Sequence, residues 1–229
     1  MEDGKKMNNL EVLYEDNHII VVVKPFNVPV QEDSSKDKDM LSIIKDYIKE
    51  KYNKPGNVYL GLVHRLDRPV SGVMVFARTS KAASRLSEEV RNRTIKKTYL
   101  AIVHGKTKEQ EKLIDYISKD NKTNNSYIDK KSGKESILTY TTLKYDEKED
   151  ISLIKVELET GRHHQIRLQL SNINHPLYGD QRYGKQDKKQ LALFAYKLEF
   201  IHPVTKKHLV FIKEPEKKGI WTILEGVDL

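Results

Sequence analysis

The chain has 229 residues, of which 38% are hydrophobic and 32% charged, with a formal net charge of +8. Because it contains no cysteine, disulfide frameworks, thiolate metal sites and cysteine nucleophiles are excluded. No apolar run reaches the ~20 residues of a membrane-spanning helix. The polar N-terminus also lacks the apolar core of a signal peptide. Together these features predict a cytoplasmic protein without membrane association.

The chain begins with a predicted tail, a hairpin and a helix. Residues 1–10 are polar and are expected to be flexible, followed by a single domain over residues 11–229. In "EVLYEDNHIIVVVKP" two strands flank a turn at Glu15–Asn17. From Asp39 to about Tyr52, apolar residues recur at helical spacing and predict one helix.

Strands dominate the rest of the chain. "YLGLVHRLD" and "GVMVFAR" predict a strand pair, Ser80 is the expected cap of a helix, and "KKTYLAIVHG" follows as a strand. The polar residues 104–135 predict a long loop or an exposed hairpin. "HHQIRLQLSNI" is read as a short helix, and the remaining predicted strands are "SILTYTTLKY", "ISLIKVELET", "LALFAYKLEFIHP" and "HLVFIKEP". This pattern predicts an α+β fold, with a mostly antiparallel mixed sheet flanked by helices and loops.

The stretch "LVHRLDRPVSGVMVFART" places Asp67 between Arg65 and Arg68, just before a bend that contains Pro69 and Gly72. Proline and glycine are typical of a tight connection. Flanking arginines favour the ionised form of a carboxylate. Such a group can act as a nucleophile, a general base or a metal ligand. A surface ion pair accounts for the same residues.

The stretch "TGRHHQIRLQLSNINHPLYGDQRYG" concentrates arginine, histidine and glutamine side chains. Arginine forks and neutral donors suit anionic oxygens, so a phosphate-binding surface is the preferred interpretation. A zinc site is disfavoured, because the adjacent His163 and His164 are expected to point apart and no H-E-x-x-H spacing is present.

Positive charge is concentrated between Gly61 and Gly105, a segment that contains nine Lys/Arg and only three Asp/Glu. A basic segment of this kind attracts polyphosphate, so nucleic acid is the first partner to consider. A solvated lysine-rich surface is the alternative. Within this segment Tyr99 shares a strand face with Ala101. It is either a core residue or a flat surface for stacking a base.

Taken together, "HRLDRPVSG", "KKTYLAIVHG" and "GRHHQIR...HPLYGDQRYG" resemble, in this order, the RluA-type family of pseudouridine synthases. The resemblance runs from about Leu10 to Trp221. It implies the pseudouridine synthase catalytic fold and the isomerisation of uridine in tRNA or rRNA to pseudouridine. It also implies that no metal or organic cofactor is used, and no obligatory protein partner is evident. Since only about ten residues precede it, a stand-alone catalytic domain is expected.

The same resemblance assigns roles to individual residues. Asp67 matches the catalytic aspartate, which either attacks the nucleotide or removes the C2′ proton. Tyr99 matches the tyrosine that packs on the target uracil and is a candidate for removing the C5 proton, and Arg167 matches the basic residue that pairs with the catalytic carboxylate. Arg65 is a candidate for holding the displaced nucleotide. Further residues expected to line or support the RNA surface are His64, Arg68, Arg162, His163, Gln165 and Tyr183.

Two other functions fit part of the sequence. A non-catalytic RNA-binding protein would need the basic residues but not an acid among them. A metal-dependent nuclease or phosphoesterase would use Asp67 with His64 or His175, but the sequence lacks a cluster of carboxylates and histidines.

Val70, Gln169 and Phe194 depart from the common family pattern, which bears on the identity of the substrate.

Overall fold

The structure, a computed structural model, describes residues 10–186 and 188–229. It divides into two compact units. The first contains the described residues up to Ile95 together with Leu198–Lys213, and the second contains Lys96–Lys197 with Glu214–Leu229. The predicted tail over residues 1–10 lies, apart from Leu10, outside the described residues.

The elements are eleven strands and three α-helices within the described residues, followed by a 3₁₀ helix at Gly219–Leu224. In chain order they are β1 Glu11–Glu15, β2 Ile19–Lys24, α1 Met40–Lys51, β3 Gly61–Leu62, β4 Ser71–Ala77, α2 Ser80–Arg91, β5 Lys96–His104, β6 Gln110–Asp120, β7 Asn125–Ile128, β8 Lys134–Asp146, β9 Ile151–Leu158, α3 Gln165–Asn172, β10 Leu193–Ile201 and β11 His208–Ile212. Across the part of the chain that is described, no helix is both long enough and apolar enough to cross a membrane.

In the first unit, β1, β2 and β4 lie side by side and pair antiparallel, with the short β3 also paired to β4. The turn between β1 and β2 is closed by Asp16, whose Oδ1 accepts hydrogen bonds from the backbone N–H groups of His18 and Ile19. The apolar run of β2 is buried, and on one face of the sheet Ile19 and Val21 pack in a core cluster with Ala82 and Leu86 of α2. The predicted first hairpin is therefore confirmed.

Both helices of the first unit start at a side-chain cap. Asp39 accepts a hydrogen bond from the backbone N–H of Ser42 at 2.8 Å, which satisfies one donor of the first turn of α1. In α2 the cap is Thr79, which accepts from the backbone N–H of Ala82. The predicted cap at Ser80 is therefore wrong by one residue, since Thr79 has the extended backbone that a capping residue needs.

In the second unit the strand order is β10-β5-β9-β8-β6-β7. Strand β5 pairs antiparallel with β9, and β8 pairs antiparallel with both β9 and β6. Residues 104–135 form a hairpin rather than a loop, because the polar segment contains alternating buried residues such as Leu113 and Ile117. The α+β class with a mostly antiparallel sheet is confirmed.

One predicted strand is much shorter than expected. "YLGLVHRLD" contributes only the two residues of β3, and residues 63–70 leave the ladder before β4 begins. His64 provides the physical reason, since its Nε2 accepts the hydrogen bond of the Val75 backbone N–H at 3.2 Å. The His64 side chain accepts this hydrogen bond in place of the backbone carbonyl of a neighbouring strand. Residues 63–70 therefore form an unpaired connection, and Asp67 lies within it.

Candidate active site

Asp67 lies in the connection between β3 and β4 and is half-buried. Its backbone carbonyl accepts a hydrogen bond from the N–H of Val70 at 2.9 Å, which closes a turn. Leu66 and Val70, on either side, are buried and anchor the connection in the unit. The carboxylate is therefore held by the backbone and by its apolar neighbours while it keeps access to solvent.

The side chain of Arg68 forms hydrogen bonds and ion pairs with the segment between β2 and α1. Its guanidinium donates to Asn27 at 3.0 Å and to Ser35 at 2.8 Å, and it forms ion pairs with Asp33 and Asp37. The side chain of Arg68 is therefore directed to these two acids. Arg68 thus ties the Asp67 connection to a neighbouring loop. Arg65 is exposed.

Lys24 is a cation of the same unit that interacts electrostatically with Asp67. It is fully buried at the end of β2, and its Nζ donates to the carbonyl oxygens of Pro25 at 2.8 Å and Arg68 at 2.9 Å. Burial lowers the pKa of Lys24 to about 7, although the negative charge of Asp67 acts in the opposite direction. The sequence analysis missed this residue; the available signal was a lysine directly after an apolar strand and before Pro25.

The buried ammonium of Lys24 predicts a pH dependence of stability. The folded chain loses this proton near pH 7 and the unfolded chain near 10.5, so the wild-type free energy of unfolding gains a contribution as the pH rises between these values. Lys24→Met lacks that contribution. We therefore expect the stability of Lys24→Met relative to wild type to fall between about pH 6 and pH 9, measured by urea denaturation. The exposed control Lys54→Met should differ from wild type in its free energy of unfolding by the same amount at every pH. A difference that is likewise independent of pH for Lys24→Met would contradict the lowered pKa of Lys24.

Tyr99 lies in the middle of β5, opposite Val156, and is buried with 7% of its surface exposed. Lys97 and Ala101 lie on the same face of the strand, because side chains alternate along it. The strand and the face predicted from the sequence are both confirmed. Burial alone fits a core tyrosine as well as a stacking platform.

Arg167 forms a buried two-point ion pair with Asp180. Its Nε donates to Oδ2 at 2.8 Å and its Nη2 to Oδ1 at 2.7 Å, and both side chains are almost fully buried. The backbone N–H groups of Arg182 and Tyr183 donate to the same Oδ1. Burial alone would raise the pKa of Asp180, but these hydrogen bonds and the charge of Arg167 hold it below its ordinary value. Asp180 fixes the orientation of Arg167, a role that the sequence analysis did not assign.

His163 and His164 do not point apart, so that expectation is wrong. Their ring centroids are 3.7 Å apart, because His164 has a left-handed backbone with φ of 53° that turns its ring towards its neighbour. His164 Nδ1 forms a hydrogen bond with the hydroxyl of Tyr183 at 2.8 Å. Burial, followed by the nearby charges of Arg167 and His163, lowers the pKa of His164 to about 2, so it is neutral at neutral pH.

The remaining predicted residues of the second unit take part in internal hydrogen bonds. The hydroxyl of Tyr183 accepts from the backbone N–H of Ser126, and Ser126 also contacts His163. Gln165 is buried and its Oε1 accepts from the Thr160 hydroxyl and the Arg162 backbone N–H. Ser126 thus joins His163 to Tyr183, whereas Gln165 belongs to a separate set of hydrogen bonds with Thr160 and Arg162.

The described residues thus group the predicted site residues in two sets. His64, Arg65, Asp67 and Arg68 share the connection before β4, while Arg167 and the network around Tyr183 belong to the second unit. Within residues 10–186 and 188–229, no three His, Asp or Glu side chains are arranged to hold a metal ion.

Comparison with known proteins identifies the class of enzyme to which this fold belongs. The structure is similar to that of human RNA pseudouridylate synthase domain containing 4, with a TM-score of 0.76, 21% identity, and coverage of 96% of this chain and 94% of the other. The family model described as RNA pseudouridylate synthase matches residues 18–172. The chain belongs to this family, whose enzymes isomerise uridine in RNA to pseudouridine.

Two curated relatives support the assignment. The chain is 36% identical to the ribosomal large subunit pseudouridine synthase C of Buchnera aphidicola, over 96% of this chain and 71% of the relative. It is 30% identical to the tRNA pseudouridine synthase C of Haemophilus influenzae, over 87% of this chain and 90% of the relative. The predicted family and the predicted class of enzyme are confirmed.

Proposed function

We propose that this enzyme isomerises one or more specific uridines of structured RNA, tRNA or rRNA, by an Asp67-dependent reaction that needs no cofactor. The observation that carries the proposal is the half-buried Asp67, held in a closed turn above the buried ammonium of Lys24. A surface ion pair needs neither the anchored backbone nor a fully buried lysine beneath it. The arrangement suits a carboxylate that must be fixed in position.

The reaction exchanges one bond of the uridine for another. The bond between C1′ of the ribose and N1 of uracil breaks, a bond from C1′ to C5 forms, and the proton of C5 is replaced by one on N1. Asp67 acts in the first step, either by attack at the sugar or by removal of the C2′ proton. Arg167 supplies positive charge that stabilises the detached uracil, and Asp180 keeps its guanidinium in position.

The target base must leave its stack before any side chain can reach it, at a cost of about a few kcal/mol. Loops and helix ends of structured RNA reduce that cost. The exposed basic residues Lys81, Arg91 and Arg93 are proposed to bind the phosphates, and Arg65, which is also exposed, is proposed to contact the displaced nucleotide. The relatives named for rRNA and for tRNA make these the two substrates to test, and the cytoplasm is the proposed location.

The proposal is tested with purified protein and unmodified tRNA and rRNA transcripts, by counting pseudouridine after nuclease digestion. Formation of pseudouridine is expected to continue in the presence of EDTA, with the RNA chain intact. Strand scission that EDTA prevents would support a metal-dependent nuclease instead. Salt-dependent binding without any product would support a non-catalytic RNA-binding protein.

Tyr99→Phe separates the two contributions proposed for this side chain. The ring that packs on the base is retained and the phenol that handles the C5 proton is lost. We therefore expect turnover to fall by about 10²-fold, while the affinity for RNA changes by less than about threefold. Single-turnover kinetics and filter binding measure these two quantities. The control Tyr140→Phe removes a buried phenol from the same unit and should leave turnover unchanged; an unchanged turnover in Tyr99→Phe would remove the phenol from the mechanism.

A further inference from the structure

Lys97, at the start of β5, is a half-buried cation with no protein partner among the residues that the structure describes. No hydrogen bond or ion pair joins its Nζ to any of them, and burial alone lowers its pKa below the ordinary value. A buried lysine usually has hydrogen-bond partners within the protein, and Lys24 is an example, since its Nζ donates to two carbonyl oxygens. Partial burial of an ammonium without such partners costs free energy unless the ammonium binds a ligand.

The ammonium of Lys97 lies against Gly161. A Cβ built on Gly161 would be only 3.2 Å from Lys97 Nζ, closer than most real contacts of this kind. The backbone of Gly161 is outside the left-handed region that favours glycine, so its conformation does not require this residue type. What the glycine provides is space beside the ammonium. Gly161 is exposed, so this space is open to solvent.

Lys97 and Tyr99 project from the same face of β5, where they pair with Leu158 and Val156 of β9. Two residues along a strand span about 7 Å, which is comparable to the distance between a base and the phosphate of its own nucleotide. Lys96 is exposed and lies on the opposite face of the strand. The neighbouring lysine therefore provides a matched control.

We propose that Lys97 and the space above Gly161 form a binding site for a backbone phosphate next to the target uridine. The proposal rests on the proposed function, in which Tyr99 packs on the uracil. A phosphodiester carries one negative charge and accepts charge-assisted hydrogen bonds from an ammonium. Because the ammonium is already partly desolvated, little of its hydration remains to be removed on binding. Lys97 thus fixes the nucleotide by its phosphate while Tyr99 contacts its base.

The test compares the binding of uridine with that of uridine 3′,5′-bisphosphate, which carries both phosphates that flank a nucleotide. Calorimetry or ligand-observed NMR gives the ratio of the two affinities for each variant. Wild type is expected to prefer the bisphosphate, and Lys97→Met should reduce this preference by about tenfold, the loss expected for one charge-assisted contact. Lys97→Arg should keep part of the preference and Lys96→Met all of it. Gly161→Ala, which leaves the lysine in place but fills the space, should reduce it by a smaller factor.

An unchanged preference in Lys97→Met, or no preference in wild type, would overturn the phosphate site. An equal loss in Lys96→Met would do the same, because it would show a general effect of surface charge. The readout needs no turnover, so it is independent of the proposed function. An enzyme that forms pseudouridine but shows no effect of Lys97→Met contradicts only the phosphate site, whereas the expected binding pattern without any pseudouridine formation contradicts only the proposed function.

Discussion

Asp67→Asn is expected to reduce pseudouridine formation by about 10³-fold or more, while the affinity for RNA stays within about threefold of wild type. The amide is nearly the same size as the carboxylate, but it is neither a nucleophile nor a base of comparable strength. The backbone turn and the buried neighbours that hold the connection are unaffected by the change. Single-turnover pseudouridine formation and filter binding, measured on the same RNA, separate the two effects.

A matched control for this change is Asp46→Asn, which alters a partly exposed acid of α1 that pairs with Lys38. It should leave both turnover and binding unchanged. Thermal unfolding of both variants shows whether the fold is retained. If Asp67→Asn turns over RNA at the wild-type rate, the catalytic assignment fails, and a non-catalytic role for the basic surface becomes the better explanation of RNA binding.

Asp180→Asn is expected to lower the free energy of unfolding by about 3–5 kcal/mol, the usual cost of removing one partner of a buried ion pair. The carboxylate accepts two hydrogen bonds from Arg167 and two from backbone N–H groups. An amide has only one acceptor oxygen, so its NH₂ must face donors. Urea denaturation at neutral pH measures the loss. Turnover should also fall, because Arg167 loses the partner that orients it.

The control for this pair is Glu159→Gln, which makes the same chemical change in the exposed pair of Glu159 with Lys112. Exposed pairs contribute about 0–1 kcal/mol, so its stability should be close to that of wild type. The pKa of Asp180 is lowered in the folded state, so its contribution to stability is present above pH 3.8 and is lost as the pH falls through the lower folded value. Equal, small effects of the two substitutions would contradict a stabilising role for the buried pair.

Much of the fold could be predicted from the sequence because local patterns agree with tertiary structure there. The apolar run that ends at Lys24 and the helical spacing after Asp39 both have one dominant period, and each forms the expected element. The strand before Asp67 could not be predicted, because its length depends on His64 reaching a backbone N–H eleven residues away. A contact of that kind leaves no trace in periodicity.

The site was predicted less completely than the fold. Asp67, Tyr99 and Arg167 are proposed as site residues through a resemblance, whereas the side chains that contact them could not be predicted. Lysine is seldom fully buried, so nothing local marks Lys24 as the cation beneath the Asp67 connection. Asp180 lies between glycines in a segment typical of a turn, and only the structure shows that it is buried against Arg167.

The most direct test of the central claim is a carbodiimide map of pseudouridine in tRNA and rRNA from cells with and without the gene. At least one modified uridine should disappear when the gene is deleted. It should return when wild-type protein is supplied, and it should stay absent when the protein carries Asp67→Asn. If every modified position persists in the deletion strain and the purified protein modifies none of these RNAs, the protein does not perform the reaction proposed for it.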